Sequence, residues 1–210
     1  RAGPQEEDMH PCHHAKTQPD KAAYIMAASG ETVTFKQLDE RSNQIAHAFR
    51  DAGLKPGDTI ALFAENSPRY FEVCWAAQRS GLYFVCVSSR LTAPEVKYIL
   101  EDSGSSLLIA SAGKSDIAKQ VKKVTSLDHY WSIDGDIDGF QRLETHQSGF
   151  PVTPIPDEMA GTDMLYSSGT TGRPKGIRPA LEPNTPIDGD NVLIQITQAM
   201  AGAGAGNIYL

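Results

Sequence analysis

Three short apolar runs alternate with segments that carry helix-start signals, and this alternation constrains the fold more than any other feature of the sequence. The runs are residues 59–64, 82–87 and 107–110. Uninterrupted apolar runs of this length are typical of strands buried on both faces. Helical segments of roughly ten to fifteen residues separate them, which is long enough for crossovers between parallel strands. The sequence therefore predicts an α/β fold, with a mainly parallel sheet and helices on both of its faces.

Two of the helices begin at capping boxes. Thr34 with Gln37, and likewise Thr92 with Glu95, form the T-x-x-Q/E pattern. In this pattern the threonine side chain and the side chain three residues later each satisfy a backbone N–H group that the helix leaves unpaired. The pattern predicts that helices start directly after Thr34 and Thr92.

A third helix is predicted between the first two apolar runs, with Ser67 as its cap and Pro68 as its first residue. At helical spacing it carries Phe71, Cys74, Trp75 and Gln78. The remaining predicted elements are a hairpin of residues 24–28 and 31–35, a short helix at 115–123, a strand at 129–133 and an extended proline-bearing connector at 150–157.

Residues 166–177, YSSGTTGRPKGI, combine hydroxyls, glycines and positive charge in one short segment. They are the hydroxyl residues Tyr166, Ser167, Ser168, Thr170 and Thr171, the glycines Gly169, Gly172 and Gly176, and the cations Arg173 and Lys175. Glycine permits φ > 0 and a close approach of the backbone, so successive N–H groups can converge on an anion. The segment therefore predicts a loop that binds the polyphosphate of a nucleotide.

Two other interpretations of this segment fit less well. The P-loop pattern G-x-x-x-x-G-K-[ST] fails, because Gly176 follows Lys175 where serine or threonine is required. Pro174 would also interrupt a helix starting there, so the loop itself is expected to bind phosphate rather than a helix N-terminus. A flexible linker is the alternative, but linkers rarely contain a fixed Arg-Pro-Lys behind an apolar lead-in such as residues 164–166.

The segment YSSGTTGRPKGI resembles the phosphate-binding signature of the adenylate-forming superfamily. That superfamily includes acyl-CoA synthetases, aryl-CoA ligases, luciferases and the adenylation domains of peptide synthetases. Three earlier segments are also similar to it: ETVTFKQLDERSNQIAHAF, GDTIALFAENSPRYFEVCWAAQRSG and RLTAPEVKYILEDSG. The resemblance runs from residue 19 to residue 177. The sequence departs from it at residues 83–89, YFVCVSS, where many relatives have a proline and an asparagine before the Arg-Leu.

The resemblance implies that residues 10–210 are the incomplete N-terminal part of the large domain of an adenylate-forming enzyme. In this family a carboxylic acid attacks the α-phosphorus of ATP to give an acyl-adenylate and pyrophosphate, and a thiol then takes the acyl group. A fatty acid as substrate, with ATP, Mg²⁺ and coenzyme A, is what the resemblance implies here. The implied phosphate-binding residues are Ser167, Ser168, Gly169, Thr170, Thr171, Gly172 and Lys175.

Residues 207–210 look like the start of another buried strand, so we expect a fragment of a protein more than twice as long. The segments for adenine, ribose, magnesium and the acyl group are expected beyond Leu210, and no catalytic residue or metal ligand is assigned within the chain. The chain alone is therefore expected to bind MgATP weakly and not to turn over. Two alternatives to a fatty acyl-CoA ligase remain. One is an adenylating enzyme for aryl or amino acids, and the other is a non-catalytic nucleotide-binding module.

The charge and composition of the chain exclude several classes of binding partner. A net charge of −7 and a pI of about 5.3 predict no basic face for nucleic acid or anionic lipid. No apolar run approaches the roughly 18 residues that a transmembrane helix needs, and no signal peptide is visible. Cys12, Cys74 and Cys86 cannot all pair, and the last two lie in apolar runs. We therefore expect reduced core cysteines in a cytoplasmic protein, with the oligomeric state left open.

A first cluster of potential metal ligands lies near the start of the chain. It comprises His10, Cys12, His13 and His14. No second cluster has zinc-ligand spacing, and a helix beginning near Pro11 accounts for these residues more simply.

A second cluster resembles the opening of an EF-hand loop and comprises Asp134, Asp136, Asp138 and Gly139. The twelfth position of the loop, which should supply a bidentate glutamate, is Thr145, and the flanking segments do not resemble two helices. A solvated acidic turn is therefore expected here.

The two ends of the chain differ in predicted structure. Residues 1–9 are expected to be a disordered tail or an expression remnant. Residues 191–200 are predicted to be a helix. The G-x-G-x-G of residues 201–206 follows that helix rather than a strand, so it is interpreted as a helix exit and turn, not as a dinucleotide site.

Overall fold

The structure is a computed structural model that describes residues 10–167 and 173–188. Its helices are α1 (Pro11–Thr17), α2 (Phe35–Asp51), α3 (Pro68–Arg79), α4 (Ala93–Ser103), α5 (Ser115–Val124) and α6 (Leu143–Gln147). Its strands are β1 (Ala22–Ile25), β2 (Thr32–Thr34), β3 (Thr59–Phe63), β4 (Tyr83–Val87), β5 (Ser105–Ser111), β6 (His129–Ile133), β7 (Gln141–Arg142), β8 (Thr162–Asp163), β9 (Leu165–Ser167) and β10 (Lys175–Ile177).

Six of the strands form one sheet in the spatial order β7-β6-β5-β3-β4-β8, and every neighbouring pair is parallel. All five residues of the central strand β3 are buried. Its side chains alternate between two apolar layers: Ile60 and Leu62 pack with α2 and α3 on one face, and Ala61 and Phe63 pack with α4 and α5 on the other. This arrangement confirms the predicted α/β fold with helices on both faces of a parallel sheet.

Both capping boxes are confirmed. The backbone N–H of Gln37 donates to the Thr34 hydroxyl at 3.2 Å, and the backbone N–H of Thr34 donates to the Gln37 side-chain oxygen at 3.0 Å. The equivalent bond from the Thr92 N–H to the Glu95 carboxylate is 2.8 Å long. These bonds fix where α2 and α4 begin, because they satisfy N–H groups that the helices themselves leave unpaired.

The expectations for α3 were partly wrong. Ser67 occupies the cap position, but its side chain accepts no hydrogen bond from the helix N-terminus. Phe71 is 47% exposed, and the apolar residues that α3 buries are Val73, Ala76 and Ala77. The same helix also buries the large side chains of Glu72 and Arg79, which are 0% and 1% exposed, so its buried face is not the one that its largest apolar side chains indicate.

The prediction of a core position for Cys86 was also wrong. The three cysteines are free thiols, but Cys86 is exposed and Cys74 is half-buried. Their sulfur atoms lie 3.9 Å apart across α3 and β4. Among the described residues, the sheet continues beyond β4 only as the two-residue strand β8. Strand β8 pairs with Tyr83 and Phe84, so the rest of β4, including Cys86, has no neighbouring strand on that side.

The predicted hairpin, short helix and fourth strand correspond to β1 with β2, to α5 and to β6. The predicted connector is irregular and lies along α2, which binds its backbone carbonyls through side chains. Asn43 bonds the carbonyl of Val152 at 2.9 Å, and Gln44 bonds that of Phe150 at 3.0 Å. The short elements β7, α6 and β8 were not predicted, because two to five residues give too little periodicity to detect.

Several expectations concern residues outside the described ranges. These are the tail at 1–9, the helix at 191–200 and the glycine pattern at 201–206. Within residues 10–167 and 173–188, no helix is long and apolar enough to cross a membrane, and no group of three or more His, Cys, Asp or Glu side chains is placed to hold a metal ion. The acidic turn at Asp134 lies between two strands, and Asp136 forms an ion pair with Arg142.

His10 serves as the cap of α1 and uses both ring nitrogens. Nδ1 accepts the backbone N–H of Cys12 at 3.1 Å, and Nε2 lies 3.0 Å from the side-chain oxygen of Gln78. An Nδ1 that accepts and an Nε2–H that donates define the neutral imidazole. Burial, together with the nearby Arg79 guanidinium, lowers the pKa of His10 to about 4.

This pKa predicts a pH-dependent contribution to stability. Because the folded-state pKa is below the unfolded value of 6.5, the contribution of neutral His10 is fully present above about pH 6.5 and is lost as the pH falls towards 4. The loss should reach up to about 3 kcal/mol. Urea unfolding of the wild type and His10→Asn, whose side chain can cap but does not titrate, should show a free-energy difference that shrinks over this range. Parallel pH profiles of the two proteins would contradict the assignment.

Candidate functional site

The described ends of the YSSGTTGRPKGI segment pair as the two strands of a hairpin. Strands β9 and β10 pair antiparallel, with Ser167 opposite Lys175 and Tyr166 opposite Gly176. The loop between them is therefore held at its base by regular backbone pairing rather than by a helix. Among the described residues that follow it, 173–188, there is no helix. The sequence had predicted that the loop, and not a helix N-terminus, would offer the donors for phosphate.

The structure locates two of the predicted phosphate-binding residues. Ser167 and Lys175 are both exposed and face each other across the first residue pair below the loop. The others lie outside the described residues; they are Ser168, Gly169, Thr170, Thr171 and Gly172. A hydroxyl and an ammonium group at this position are both donors to phosphate oxygens, so the chemistry of the described pair fits a polyphosphate ligand.

The sheet directs the hairpin towards the carboxyl ends of its strands. Strand β8 pairs in parallel with the first two residues of β4, and β9 begins only one residue later, after Met164. The chain therefore approaches the loop in the same direction as β4. In open α/β sheets, the carboxyl edge of the strands is where ligands bind.

Tyr166 fixes the hairpin to helix α4. Its hydroxyl donates to the Asp102 carboxylate at 2.8 Å and lies 3.4 Å from the backbone carbonyl of Ile99. Burial, and next the hydrogen bond to the Asp102 carboxylate, raises the pKa of Tyr166, so the phenol stays protonated and remains a donor. The hydroxyl that the sequence grouped with the phosphate donors therefore has a different partner.

Gly176 allows this tyrosine to lie flat against the returning strand. A Cβ at position 176 would stand 3.0 Å from both the ring carbon Cζ and the hydroxyl oxygen of Tyr166, and it would also overlap the end of Met164. A larger residue would therefore require the end of Met164 to move and would press on the Tyr166 ring. We expect glycine to be favoured here by close packing at the base of the loop.

The two cations of the segment and Arg178, which follows it, have different surroundings. Lys175 is exposed, whereas the guanidinium carbon of Arg173 lies 5.1 Å from the centre of the Tyr98 ring and that of Arg178 lies 4.1 Å from the centre of the Tyr83 ring. The sequence analysis grouped Arg173 and Lys175 as the cations of a polyphosphate-binding loop. Sequence reasoning missed the two tyrosines, because they precede the segment by tens of residues and belong to no motif.

Comparisons with known proteins show which proteins the chain is similar to. The sequence model of the AMP-binding enzyme family matches residues 12–178. The chain is 35% identical over 172 residues to a fatty acid–[acyl-carrier-protein] ligase of Streptomyces coeruleorubidus, and the match covers 78% of the chain and 31% of that protein. It is 31% identical over 170 residues to a feruloyl-CoA synthase of Amycolatopsis sp, with 79% and 31% covered. The chain thus spans about a third of the length of these curated relatives.

Solved structures share the fold. A red-emitting luciferase from Phrixothrix hirtus superposes with a TM-score of 0.72 at 25% identity, covering 82% of this chain and 35% of that one.

The packing of Gly176 leads to a direct test. Gly176→Ala should displace the Tyr166 ring and raise the amide hydrogen-exchange rates of β9 and β10 at least about fivefold, which corresponds to the lower end of the cost of overpacking. Gly149→Ala is the matched control, since its new Cβ would meet only the His146 carbonyl oxygen at 4.0 Å. Equal protection of the hairpin in both variants would show that Gly176 is not needed for packing.

Proposed function

The chain belongs to the AMP-binding enzyme family, and we propose from this that the whole protein is an ATP-dependent acid–thiol ligase that works through an acyl-adenylate. The observation that supports the proposal most directly is the hairpin, which pairs Ser167 directly opposite Lys175 next to the predicted loop. The serine hydroxyl and the lysine ammonium group both suit the β- and γ-phosphates of ATP and the pyrophosphate that departs.

In the proposed reaction an oxygen of the substrate carboxylate attacks the α-phosphorus of ATP. A bond forms between them, the bond from the α-phosphorus to the bridging oxygen breaks, and pyrophosphate leaves with the electron pair. Stabilising the charge on pyrophosphate lowers the barrier, and this is the role proposed for Lys175 and for Ser167, together with Ser168, Gly169, Thr170, Thr171 and Gly172. When bound, Mg²⁺ would add charge neutralisation on the phosphate oxygens.

The substrate is proposed to be a fatty acid and the acceptor coenzyme A. The relative from Streptomyces coeruleorubidus is a fatty acid ligase, and one from Mycobacterium tuberculosis is a long-chain-fatty-acid–CoA ligase that is 30% identical over 166 residues. An aryl acid is the second candidate, because the Amycolatopsis relative is a feruloyl-CoA synthase at a similar identity. The 210-residue chain alone is proposed to bind MgATP weakly and to lack turnover.

Carboxylate-dependent exchange of labelled pyrophosphate into ATP tests the proposal. The whole protein is assayed with short-chain, long-chain and aromatic acids in parallel. Exchange that depends on long-chain acids would support the fatty acid assignment, and exchange with aromatic acids only would replace it by the aryl one. A folded protein that gives no exchange with any acid would overturn the ligase proposal.

Lys175 should matter for the reaction and little for stability. Lys175→Ala in the whole protein should lower the exchange rate about 10- to 100-fold, since it removes one charge-assisted contact to phosphate. The free energy of unfolding should change by less than about 0.5 kcal/mol, because the side chain is exposed.

Two further variants sharpen this test. Lys175→Arg keeps the charge and should recover part of the rate, whereas Lys36→Ala removes an exposed lysine of α2 and should leave the rate unchanged. An equal effect of the changes at positions 36 and 175 would contradict a specific role of Lys175.

A further inference from the structure

Two Arg-Pro dipeptides bracket the strand that carries Lys175. Arg173-Pro174 comes directly before β10, and Arg178-Pro179 comes directly after it. Strand β10 has only three residues and pairs only with β9, so the sheet hydrogen bonds described for it come from one side. A strand this short needs other contacts to keep a defined position.

Each dipeptide is bound by a tyrosine in the same way. The Tyr98 hydroxyl donates to the carbonyl of Pro174 at 2.9 Å, and its ring lies under the Arg173 guanidinium. The Tyr83 hydroxyl donates to the carbonyl of Pro179 at 2.6 Å, and its ring lies under the guanidinium of the preceding arginine, Arg178. We call these two arrangements the Arg-Pro staples.

The chemistry of the dipeptide suits such a contact. The proline carbonyl is an ordinary backbone acceptor, and the ring fixes φ of the residue that carries it, so a side-chain donor meets that carbonyl on a restricted backbone. The guanidinium of the arginine is attracted to the face of the aromatic ring. One tyrosine therefore holds the dipeptide at two points, which limits both its distance from the core and its rotation.

Both tyrosines stand on elements that the core fixes. Tyr83 is 6% exposed and starts β4, next to the central strand β3. Tyr98 lies on α4 between the buried residues Val96 and Leu100. The two staples hold carbonyls five positions apart in the chain, at Pro174 and Pro179, and β10 lies wholly between them.

We propose that Tyr98 and Tyr83 are positioning residues that hold β10 so that Lys175 faces the bound polyphosphate, a role that rests on the proposed function. In this role the tyrosines act through residues 173–174 and 178–179 and not through contact with the ligand. Tyr98 has the more direct influence on Lys175, because the carbonyl that it binds belongs to the adjacent residue, Pro174. In this role Arg173 packs on the Tyr98 ring and does not bind phosphate.

The chain provides a closely matched control. The Tyr24 hydroxyl donates to the carbonyl of Pro68 at 2.9 Å, the same bond at the same length as that from Tyr98 to Pro174, but between β1 and the start of α3. Tyr98→Phe removes the hydroxyl and keeps the ring under Arg173, whereas Tyr98→Leu removes both contacts. Tyr24→Phe removes an equivalent hydrogen bond far from the hairpin.

The first readout is amide hydrogen exchange of β9 and β10 in the 210-residue chain, which needs no ligand and no activity. Tyr98→Phe should raise the exchange rates about fivefold, the effect of one net hydrogen bond, and Tyr98→Leu should raise them further. Tyr83→Phe should act in the same direction from the other end of β10. If the exchange rates of β9 and β10 in Tyr98→Phe equal those in the Tyr24→Phe control, the staple does not hold the hairpin and the proposal is overturned.

The second readout is pyrophosphate exchange in the whole protein. Tyr98→Phe should raise the KM for ATP several-fold and leave the KM for the acid unchanged, a split that general destabilisation would not produce. An equal rise of both KM values, or no rise for ATP, would overturn the positioning role. If the wild type shows no exchange at all, the proposed function fails, and hydrogen exchange still decides whether the staples hold the hairpin.

Discussion

Burial of the central strand β3 on both faces is the constraint on which the rest of the structure depends. A strand with no solvent-exposed side needs an apolar layer above and below it, and α2 with α3 and α4 with α5 supply the two layers. Parallel pairing then places the carboxyl ends of the strands at one edge. The position of the phosphate-loop hairpin follows, since β8 pairs beside β4 and leads the chain in the direction of that edge, one residue before β9 begins.

Features encoded by neighbouring residues were predictable from the sequence. The capping boxes at Thr34 and Thr92 need only two side chains three positions apart, and both helices begin where those residues indicate. The strands were predictable because each one is a continuous apolar run, which is also a pattern of neighbouring residues. Residues 166–177 were recognised because hydroxyls, glycines and a lysine occur close together. The structure pairs Ser167 opposite Lys175, and phosphate binding by these residues stays a prediction.

Contacts between distant parts of the chain were not predictable. The bond from Tyr98 to Pro174 joins residues 76 positions apart, and nothing in the local sequence of α4 distinguishes this tyrosine from a surface residue. The buried face of α3 was misjudged because burial depends on what packs against the helix, and Ala76 and Ala77 fit there while Phe71 does not. Cys86 resembled a core residue in sequence, and only its place near the end of the described sheet leaves it exposed.

The connector between α6 and β8 is held in a manner that bears on its evolution. Asn43, Gln44 and His47 of α2 reach across to backbone carbonyls of residues 150–153, and the connector's own side chains take no part in these bonds. Backbone carbonyls are present whatever the residue. Substitutions at the exposed positions 151–154 should therefore accumulate freely among homologues, while the amide and imidazole groups on the facing helix are retained, so that one side of the contact varies in sequence and the other does not.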